Sequence, residues 1–168
     1  MATFDITPPV IEIPLTQGQV AIVDADDYPL ISQHKWHAQR CLHKYYALTN
    51  INLDNGSRTQ ISMHRMIMDA PKGLEVDHID RNGLNNRRSN LRLATHAQNT
   101  RNQGKWKETA SKYKGLSLDK RDMKWQVKVF YNGKYVTVGR FFDEEEAARA
   151  YDAKARELFG EFAHCNFK

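Results

Sequence analysis

The sequence has few cysteines and no long apolar run, which excludes several protein classes. Its 168 residues contain two cysteines, Cys41 and Cys165, which form neither a disulfide framework nor a zinc-binding CxxC pair. A reduced, cytoplasmic setting is therefore expected. No apolar stretch approaches the roughly 18 residues that a membrane-spanning helix needs, and the opening MATFDITPPV lacks the pattern of a secretory signal. We expect no membrane association.

Positive charge is concentrated in one stretch of the chain. The net charge is +5 at pH 7, whereas residues 101–140 alone carry +8. Clustered lysines and arginines neutralise phosphates and release counterions, so this stretch indicates a nucleic-acid partner. A lysine-rich surface that only faces solvent is the alternative.

A change of pattern near residue 105 divides the chain, whose length allows one ordinary domain or two small ones. The sequence DNG at 54–56 predicts a hairpin turn in the first part, and NG at 132–133 predicts another in the second. The polar segment 105–111 between them is interpreted as a linker. We therefore predict an α+β protein with domains at 1–104 and 112–168.

Residues 74–102 hold side chains suited to phosphodiester hydrolysis. The pattern predicts a strand ending at Asp77 and His78, a loop rich in Asn and Arg, a second strand, and a short helix containing Asn99. Hydrolysis requires a base for water, which suits histidine, and a divalent metal to neutralise the phosphate. Asp77 and Asn99 offer the oxygen ligands that Mg²⁺ takes. Consecutive strand residues point to opposite sides, so a bend is needed to aim Asp77 and His78 at one phosphate.

Asp77-His78, Asn90 and Asn99 have the spacing of the ββα-metal motif, and the segment resembles the HNH nucleases. With the phrases IPLTQGQVAIVD, SMHRMIM and VDHIDRNGLNNRRSNLR, residues 10–103 are similar to phage and intron-encoded HNH homing endonucleases. The resemblance implies that His78 is the general base and that Asp77 and Asn99 hold one Mg²⁺ or Mn²⁺ ion. It also implies that Asn90 ties the loop and orients His78 through a hydrogen bond.

The same resemblance leaves some residues with alternative roles. Without a flanking CxxC pair, no structural zinc is expected. For His78, a ring held only by a carbonyl is the alternative to catalysis. His96 is either a phosphate contact or merely exposed, and His64 is expected to pack rather than to catalyse. Three arginines are implied to lie close to the DNA backbone: Arg87, Arg88 and Arg92.

The C-terminal part predicts a small sheet with one covered and one exposed face. An Ala-rich helix over 143–160, capped by its aspartate, is expected to meet the valine face of two strands. The Asn-Gly loop places Phe130 opposite Tyr135 on the other face. By the same register Lys128 lies opposite Thr137. A basic and aromatic sheet face suits a DNA groove, and an ordinary two-layer domain is the alternative.

The phrases YKGLS, WQVKVFYNGKYVTVGRF and EEAARAYD, with the final Asn-Phe, resemble the plant ethylene-response-factor type of DNA-binding domain over residues 112–167. The resemblance implies a three-stranded antiparallel sheet packed on one helix, which reads double-stranded DNA. The plant domains carry Arg, Glu and Trp at most contact positions, so their site preference is not transferred. The matching sheet positions are Lys114, Lys128, Phe130, Tyr135 and Thr137. Phosphate contacts are inferred for Lys112, Lys114, Lys120, Arg121 and Lys124.

Together the two modules predict a metal-dependent, site-directed DNA endonuclease of the homing type. The first module cuts and the second positions, because tethering raises the effective concentration of the second contact. The resemblance implies a bacterial or phage-infected host cell. Nicking by a monomer and double-strand cleavage by a dimer both stay open. A catalytically inactive DNA-binding or regulatory protein is the main alternative, and a non-specific toxin or defence nuclease is another.

Overall fold

The computed structural model describes residues 8–104 and 110–167. The chain forms two compact units, Met1–His96 and Ala97–Lys168. Helices occur together with small antiparallel sheets, so the predicted α+β class is confirmed. In the described ranges no helix is both long and apolar enough to cross a membrane.

The border between the units does not coincide with the predicted domain limit. It falls after His96, whereas the sequence pattern placed the end of the first domain at residue 104. Most of the predicted linker, residues 105–109, lies outside the described residues. The functional domain limits therefore stay a prediction.

The first unit is built from short strands that pair as neighbours in the chain. Within residues 8–96 the strand pairs belong to three antiparallel sheets. They are β1 (Val10–Pro14) with β2 (Val20–Asp24); β3 (His37–Cys41), β4 (Lys44–Asn52) and β5 (Arg58–Ser62) in that order; and β6 (Glu75–His78) with β7 (Leu91–Ala94). The helices are α1 (Tyr28–Ile31), α2 (Met63–Ile67) and α3 (His96–Arg101), whose first residue ends this unit.

One apolar core connects these small sheets. Val23 of β2, Ile31 of α1 and Met63 of α2 are fully buried, and Val76 and Leu91 bring β6 and β7 to the same cluster. Sheets of two or three strands cannot bury an apolar face alone, so this shared core holds β6 in place. The residues at the end of β6 are thereby attached to a fixed support.

The second unit is a sheet with one helix packed across it. The strands β8 (Leu116–Asp119), β9 (Lys124–Tyr131) and β10 (Lys134–Phe141) are antiparallel in the order β10-β9-β8, and α4 (Glu144–Phe159) follows. Valines of β9 and alanines of α4 form the core, because small helix side chains allow close approach. The core includes Val127, Val129, Ala147, Ala148 and Ala155.

Local signals in the second unit lead to the expected structure. Asn132 and Gly133 both have positive φ, 49° and 79°, as the turn of a two-residue hairpin requires. The predicted register is confirmed, with Phe130 opposite Tyr135, and with Lys128 opposite Thr137. The Asp143 side chain accepts a hydrogen bond from the Glu146 N–H at 2.7 Å, so it caps α4.

A buried polar clasp closes the second unit. Asp152 of α4 is 2% exposed. Its carboxylate accepts hydrogen bonds from the backbone N–H groups of Asn166 (2.7 Å) and Phe167 (2.9 Å) and from the Asn166 amide (3.0 Å). Asn166 Oδ1 in turn accepts from the Lys114 N–H at 2.7 Å. The clasp therefore ties the segment before β8 to the residues after α4.

Candidate functional site

His78 is the last residue of β6, and two aromatic rings pack around its imidazole. It is 6% exposed. The His64 ring lies edge-on with its centroid 4.9 Å away, and the Tyr46 ring lies at 5.9 Å. Burial lowers the pKa of His78 below its ordinary value, although a hydrogen bond with Asn86 and neighbouring carboxylates oppose the shift. The imidazole is therefore neutral at neutral pH and has the lone pair that a general base needs.

The loop after β6 approaches β4 and its aromatic side chains closely. A Cβ built on Gly83 would lie 2.4 Å from the Tyr45 carbonyl oxygen and 2.6 Å from carbons of the Tyr46 ring. Those distances are shorter than any real contact, so only glycine fits here. The glycine lets the loop lie against β4, beside the ring that contacts His78.

Asp77 precedes His78 and is paired across the sheet. Its Oδ2 accepts hydrogen bonds from Arg92 Nε at 2.8 Å and Nη2 at 2.7 Å, and the two residues are register partners on β6 and β7. Both side chains are largely covered, with 12% of Arg92 and 4% of Asp77 exposed. The guanidinium compensates the buried carboxylate charge. Arg92 was expected to lie close to the DNA backbone. In the structure its guanidinium instead pairs with Asp77.

Asn90 holds the loop but does so differently from the expectation. Its Oδ1 accepts from the Asp80 N–H at 3.0 Å, and its Nδ2 donates to Asp80 Oδ1 at 2.9 Å and to the Asn85 carbonyl at 2.8 Å. Asn90 thus ties the loop as expected, but none of these side-chain bonds goes to His78, which the resemblance had implied that Asn90 orients through a hydrogen bond. The link is indirect, since the Asn90 carbonyl accepts from the N–H of Ile79, next to His78.

Two ion pairs connect the loop to the acidic segment at the end of β2. Asp24 accepts from Arg87 Nε and from the Arg88 N–H, each at 2.8 Å. The Arg88 guanidinium binds Asp27 at 2.7 to 3.1 Å. Arg87 was predicted to contact the DNA backbone, but its side chain is only 21% exposed and serves the loop. Arg88 is 56% exposed and keeps surface for a phosphate.

Asn99 and His96 both lie on α3. Asp77 belongs to the first unit and Asn99 to the second, so their arrangement around one ion stays a prediction. The His96 Nδ1 lies 2.7 Å from Glu75 Oε1, and the His96 side chain is 86% exposed. His96 thus pairs with Glu75 at the surface.

The chemistry of the donors fits a hard divalent cation. A carboxylate such as that of Asp77 and an amide oxygen such as that of Asn99 are donor types that Mg²⁺ accepts, and this ion usually takes few protein ligands and keeps several waters. Across residues 8–104 and 110–167, no group of three or more His, Cys, Asp or Glu side chains has a metal-holding arrangement.

The exposed sheet face of the second unit carries the predicted aromatic pair. Phe130 is 56% and Tyr135 70% exposed, and their rings meet at 5.1 Å and 62°. Lys128 and Thr137 continue the same face along β9 and β10. Large apolar side chains that stay exposed beside a lysine indicate a contact surface.

The five residues predicted to contact phosphate in this unit differ in their surroundings. The Lys114 ammonium donates to the carbonyls of Arg101 at 3.1 Å and Gln103 at 2.5 Å, so it fastens the chain rather than extending to DNA. Lys112 lies 4.9 Å over the Tyr113 ring and Lys124 lies 4.5 Å over the Phe142 ring. The other two are exposed at the surface: Lys120 and Arg121.

Sequence reasoning missed four residues that shape the site. Asn86, Tyr46, Asp24 and Asp27 contact His78 or the loop beside it. A signal existed for the carboxylates, because the acidic run DADD begins at the end of β2 and the loop carries two adjacent arginines. No spacing rule indicated Asn86, which lies among other asparagines in the loop.

Comparison with known proteins gives the site its family. Residues 69–101 match the HNH endonuclease family. An uncharacterized HNH endonuclease of Acanthamoeba polyphaga mimivirus is 35% identical over 156 residues, which cover 89% of this chain and 76% of the relative. Protein 3.8 of Escherichia phage T7 is 40% identical over 93 residues, or 55% of this chain and 76% of the relative. The long match to the first relative includes the whole of the region around His78, and this chain belongs to the HNH endonuclease family.

Proposed function

We propose that the chain is a metal-dependent, site-directed DNA endonuclease of the homing type. His78 is the general base, and Asp77 and Asn99 would hold one Mg²⁺ or Mn²⁺ ion. The second unit contacts double-stranded DNA through its open sheet face, in the manner of the ethylene-response-factor domain that it resembles. The phage and virus origin of the relatives supports a role in the cytoplasm of an infected cell.

One observation carries the proposal: a buried imidazole follows a buried carboxylate at the end of β6 in the segment that matches the family. A neutral His78 accepts the proton of a water, which then attacks phosphorus. Asp77 and Asn99 would supply oxygen donors of the type that divalent ions prefer, and an ion held there would supply neutralisation of charge at the scissile phosphate and the leaving oxygen. Arg92 keeps the Asp77 carboxylate oriented.

The second unit supports the choice of DNA as a docking partner. The stretch 101–140 holds most of the excess positive charge, and charge of this kind gives salt-dependent affinity for phosphate. The face with Lys128, Phe130 and Tyr135 is left open by α4, which covers the other face. A tethered docking surface restricts where the nuclease unit acts, which supports site-directed cleavage.

The test is cleavage of supercoiled plasmid with and without Mg²⁺ by the wild-type chain and His78→Ala. We expect relaxed or linear product only with the metal, and a loss of at least ~10²-fold in His78→Ala, the usual effect of removing a general base. DNA affinity, measured by anisotropy in EDTA, should change less than about twofold, because His78 is buried and carries no net charge.

His43→Ala is the matched control, since this histidine is exposed in the turn between β3 and β4. It should cleave like the wild type. Wild-type nicking in His78→Ala would remove His78 from the mechanism. DNA binding without cleavage in Mg²⁺ or Mn²⁺ would instead establish the inactive DNA-binding protein.

A further inference from the structure

Lys44 is the first residue of β4 and lies on the strand face that carries Tyr46. Alternate residues of a strand point to one side, so these two side chains share a face, whereas Ala47 on the other face joins the core. The Tyr46 ring lies 5.9 Å from the His78 ring. Lys44 therefore extends from the same face as a ring that contacts His78, about 7 Å along the strand from that ring's own residue.

Arg81 lies in the loop after β6, and its backbone is bonded directly to His78. Its N–H donates to the His78 carbonyl at 2.9 Å, and its φ of 66° is left-handed. A left-handed residue other than glycine is strained, and strain of this kind is concentrated at functional sites. Two residues later, Gly83 lies in close contact with β4. The loop with Arg81 thus lies beside the beginning of β4, where Lys44 is.

The charges of these two side chains act on each other and on the site. Partial burial and the charge of Arg81 lower the pKa of Lys44, while Asp77 and Asp80 oppose the shift. Burial is the main cause of the lowered pKa of His78, and the Lys44 charge adds to it. The ammonium group therefore lies within electrostatic range of the imidazole and of a second cation.

Neither of these cations, Lys44 or Arg81, forms an ion pair in the part of the chain that the structure describes. The carboxylates near them are bound to other groups. Asp77 accepts from the Arg92 guanidinium, and Asp80 accepts from the side-chain amides of two loop asparagines. Two like charges that lie close together without a counterion repel each other, and an anion beside both relieves that repulsion.

We propose that Lys44 and Arg81 together bind one phosphate of the DNA, the phosphate at which His78 acts. The two cations hold the phosphorus where the water activated by the imidazole can reach it. As the water adds, negative charge builds on the non-bridging oxygens, and positioned cations stabilise that charge. The inference rests on the proposed function for the reaction, but the phosphate contact itself is a property of DNA binding.

DNA binding in EDTA tests the contact without cleavage. Fluorescence anisotropy of a short labelled duplex at several salt concentrations compares the full chain with Lys44→Met. We expect the slope of log affinity against log salt to fall by about one, as the loss of one phosphate contact does. Lys35→Met is the matched control, because this lysine is exposed in the same unit and precedes β3, and it should leave the slope as it is. An unchanged slope in Lys44→Met would overturn the proposal.

A double-mutant cycle tests whether the two cations share one phosphate. Lys44→Met and Arg81→Met should each weaken binding, and the double variant should lose less than the sum of the two losses, because groups that bind one anion are coupled. Additive losses would assign the cations to separate phosphates and would contradict the shared site.

Cleavage of plasmid in Mg²⁺ tests whether the phosphate is the one that reacts. Lys44→Met should lower kcat roughly 10²-fold, the usual effect of removing a group that stabilises transition-state charge. Lys44→Arg should recover most of that kcat, because the charge and the donors remain. The urea midpoint should be the same in both variants as in the wild type, since Lys44 is exposed.

Weaker binding of Lys44→Met with wild-type kcat would assign its ammonium to a neighbouring phosphate and overturn the proposal. A wild type that binds DNA without cleaving it would refute the proposed function instead. In that case the salt slope and the double-mutant cycle would still decide whether Lys44 and Arg81 hold a phosphate.

Discussion

The two units treat their functional side chains in opposite ways. In the first, Asp77, His78 and Asn90 are buried, and each contacts a specific partner. In the second, Phe130 and Tyr135 stay exposed on an open sheet face. Burial among specific partners fixes the charge and the orientation of a side chain, which activation of a water molecule requires. Exposure leaves a surface that a large polymer such as DNA can contact. We therefore expect substitutions in the first site to change stability and activity together, and those on the sheet face to change DNA binding alone.

The largest effect is expected for Asp77→Asn. It removes the negative charge of the proposed metal ligand and breaks the covered ion pair between Asp77 and Arg92. Cleavage should fall at least ~10²-fold, and the free energy of unfolding in urea should fall by about 3 kcal/mol, since breaking one side of a buried pair strands the other charge.

Glu75→Gln is the control for that substitution on the same strand. Its partner His96 is 86% exposed, so the same loss of charge should cost under about 1 kcal/mol. Equal losses in the two variants would show that burial does not distinguish the sites.

The next largest effect is expected in the second unit, where the buried clasp is predicted to contribute to stability. Asp152→Ala removes the acceptor of three N–H groups in the clasp and should destabilise this unit by about 3 kcal/mol. Hydrogen exchange of the β9 amides is the measurement, with the β4 amides as internal reference. Glu157→Ala, on the exposed side of α4, should change exchange by no more than about 0.5 kcal/mol; a similar effect in both would contradict the clasp.

Acid should weaken the first unit through His64. Burial lowers the pKa of His64 to about 3, with His78 and Arg65 adding to the shift. In the unfolded chain the group takes up its proton near pH 6.5, so stability is complete above that pH and is lost as the pH falls toward 3. Between pH 7 and pH 5 we expect a loss of about 2 kcal/mol from this group.

Urea unfolding at both pH values measures that loss. His64→Phe should reduce the pH dependence by about the same amount, whatever its effect on stability at pH 7. An unchanged pH dependence in His64→Phe would mean that His64 takes up its proton as readily in the folded chain as in the unfolded one.

The smallest effect belongs to the open sheet face. Lys128→Ala should reduce the slope of log affinity against log salt by about one, as the loss of one phosphate contact does. Lys154→Ala on α4 changes the same charge away from that face and should leave the slope as it is. If both variants lower the slope equally, the face has no special part in binding.

Local features were predictable from the sequence. The turn at 132–133, the cap at Asp143 and the pairing of Phe130 with Tyr135 depend on residues that are near neighbours in the chain, where turn chemistry and side-chain alternation act directly. The α+β class follows from the same signals. The strand β3 was missed because HAQRC has no clear alternation of apolar and polar residues.

Partners distant in the chain were not predictable. Arg87 and Asp24 are separated by 63 positions, and nothing in either local segment indicates the other. The arginines were therefore assigned to DNA, which is the usual partner of unpaired positive charge in such a loop. Asn86 was missed for the same reason, since its neighbour Ile22 is brought to it by the core and not by the chain.

The clasp of the second unit has a consequence for the order of events during synthesis. Asn166 and Phe167 complete the hydrogen bonding of Asp152 and, through Lys114, of the segment that enters β8. A growing chain cannot close this arrangement until residue 167 has left the ribosome, whereas every hydrogen-bonding partner of His78 named above has emerged by then. The fold around His78 is thus free to form first, and the surface proposed to direct it to DNA closes later.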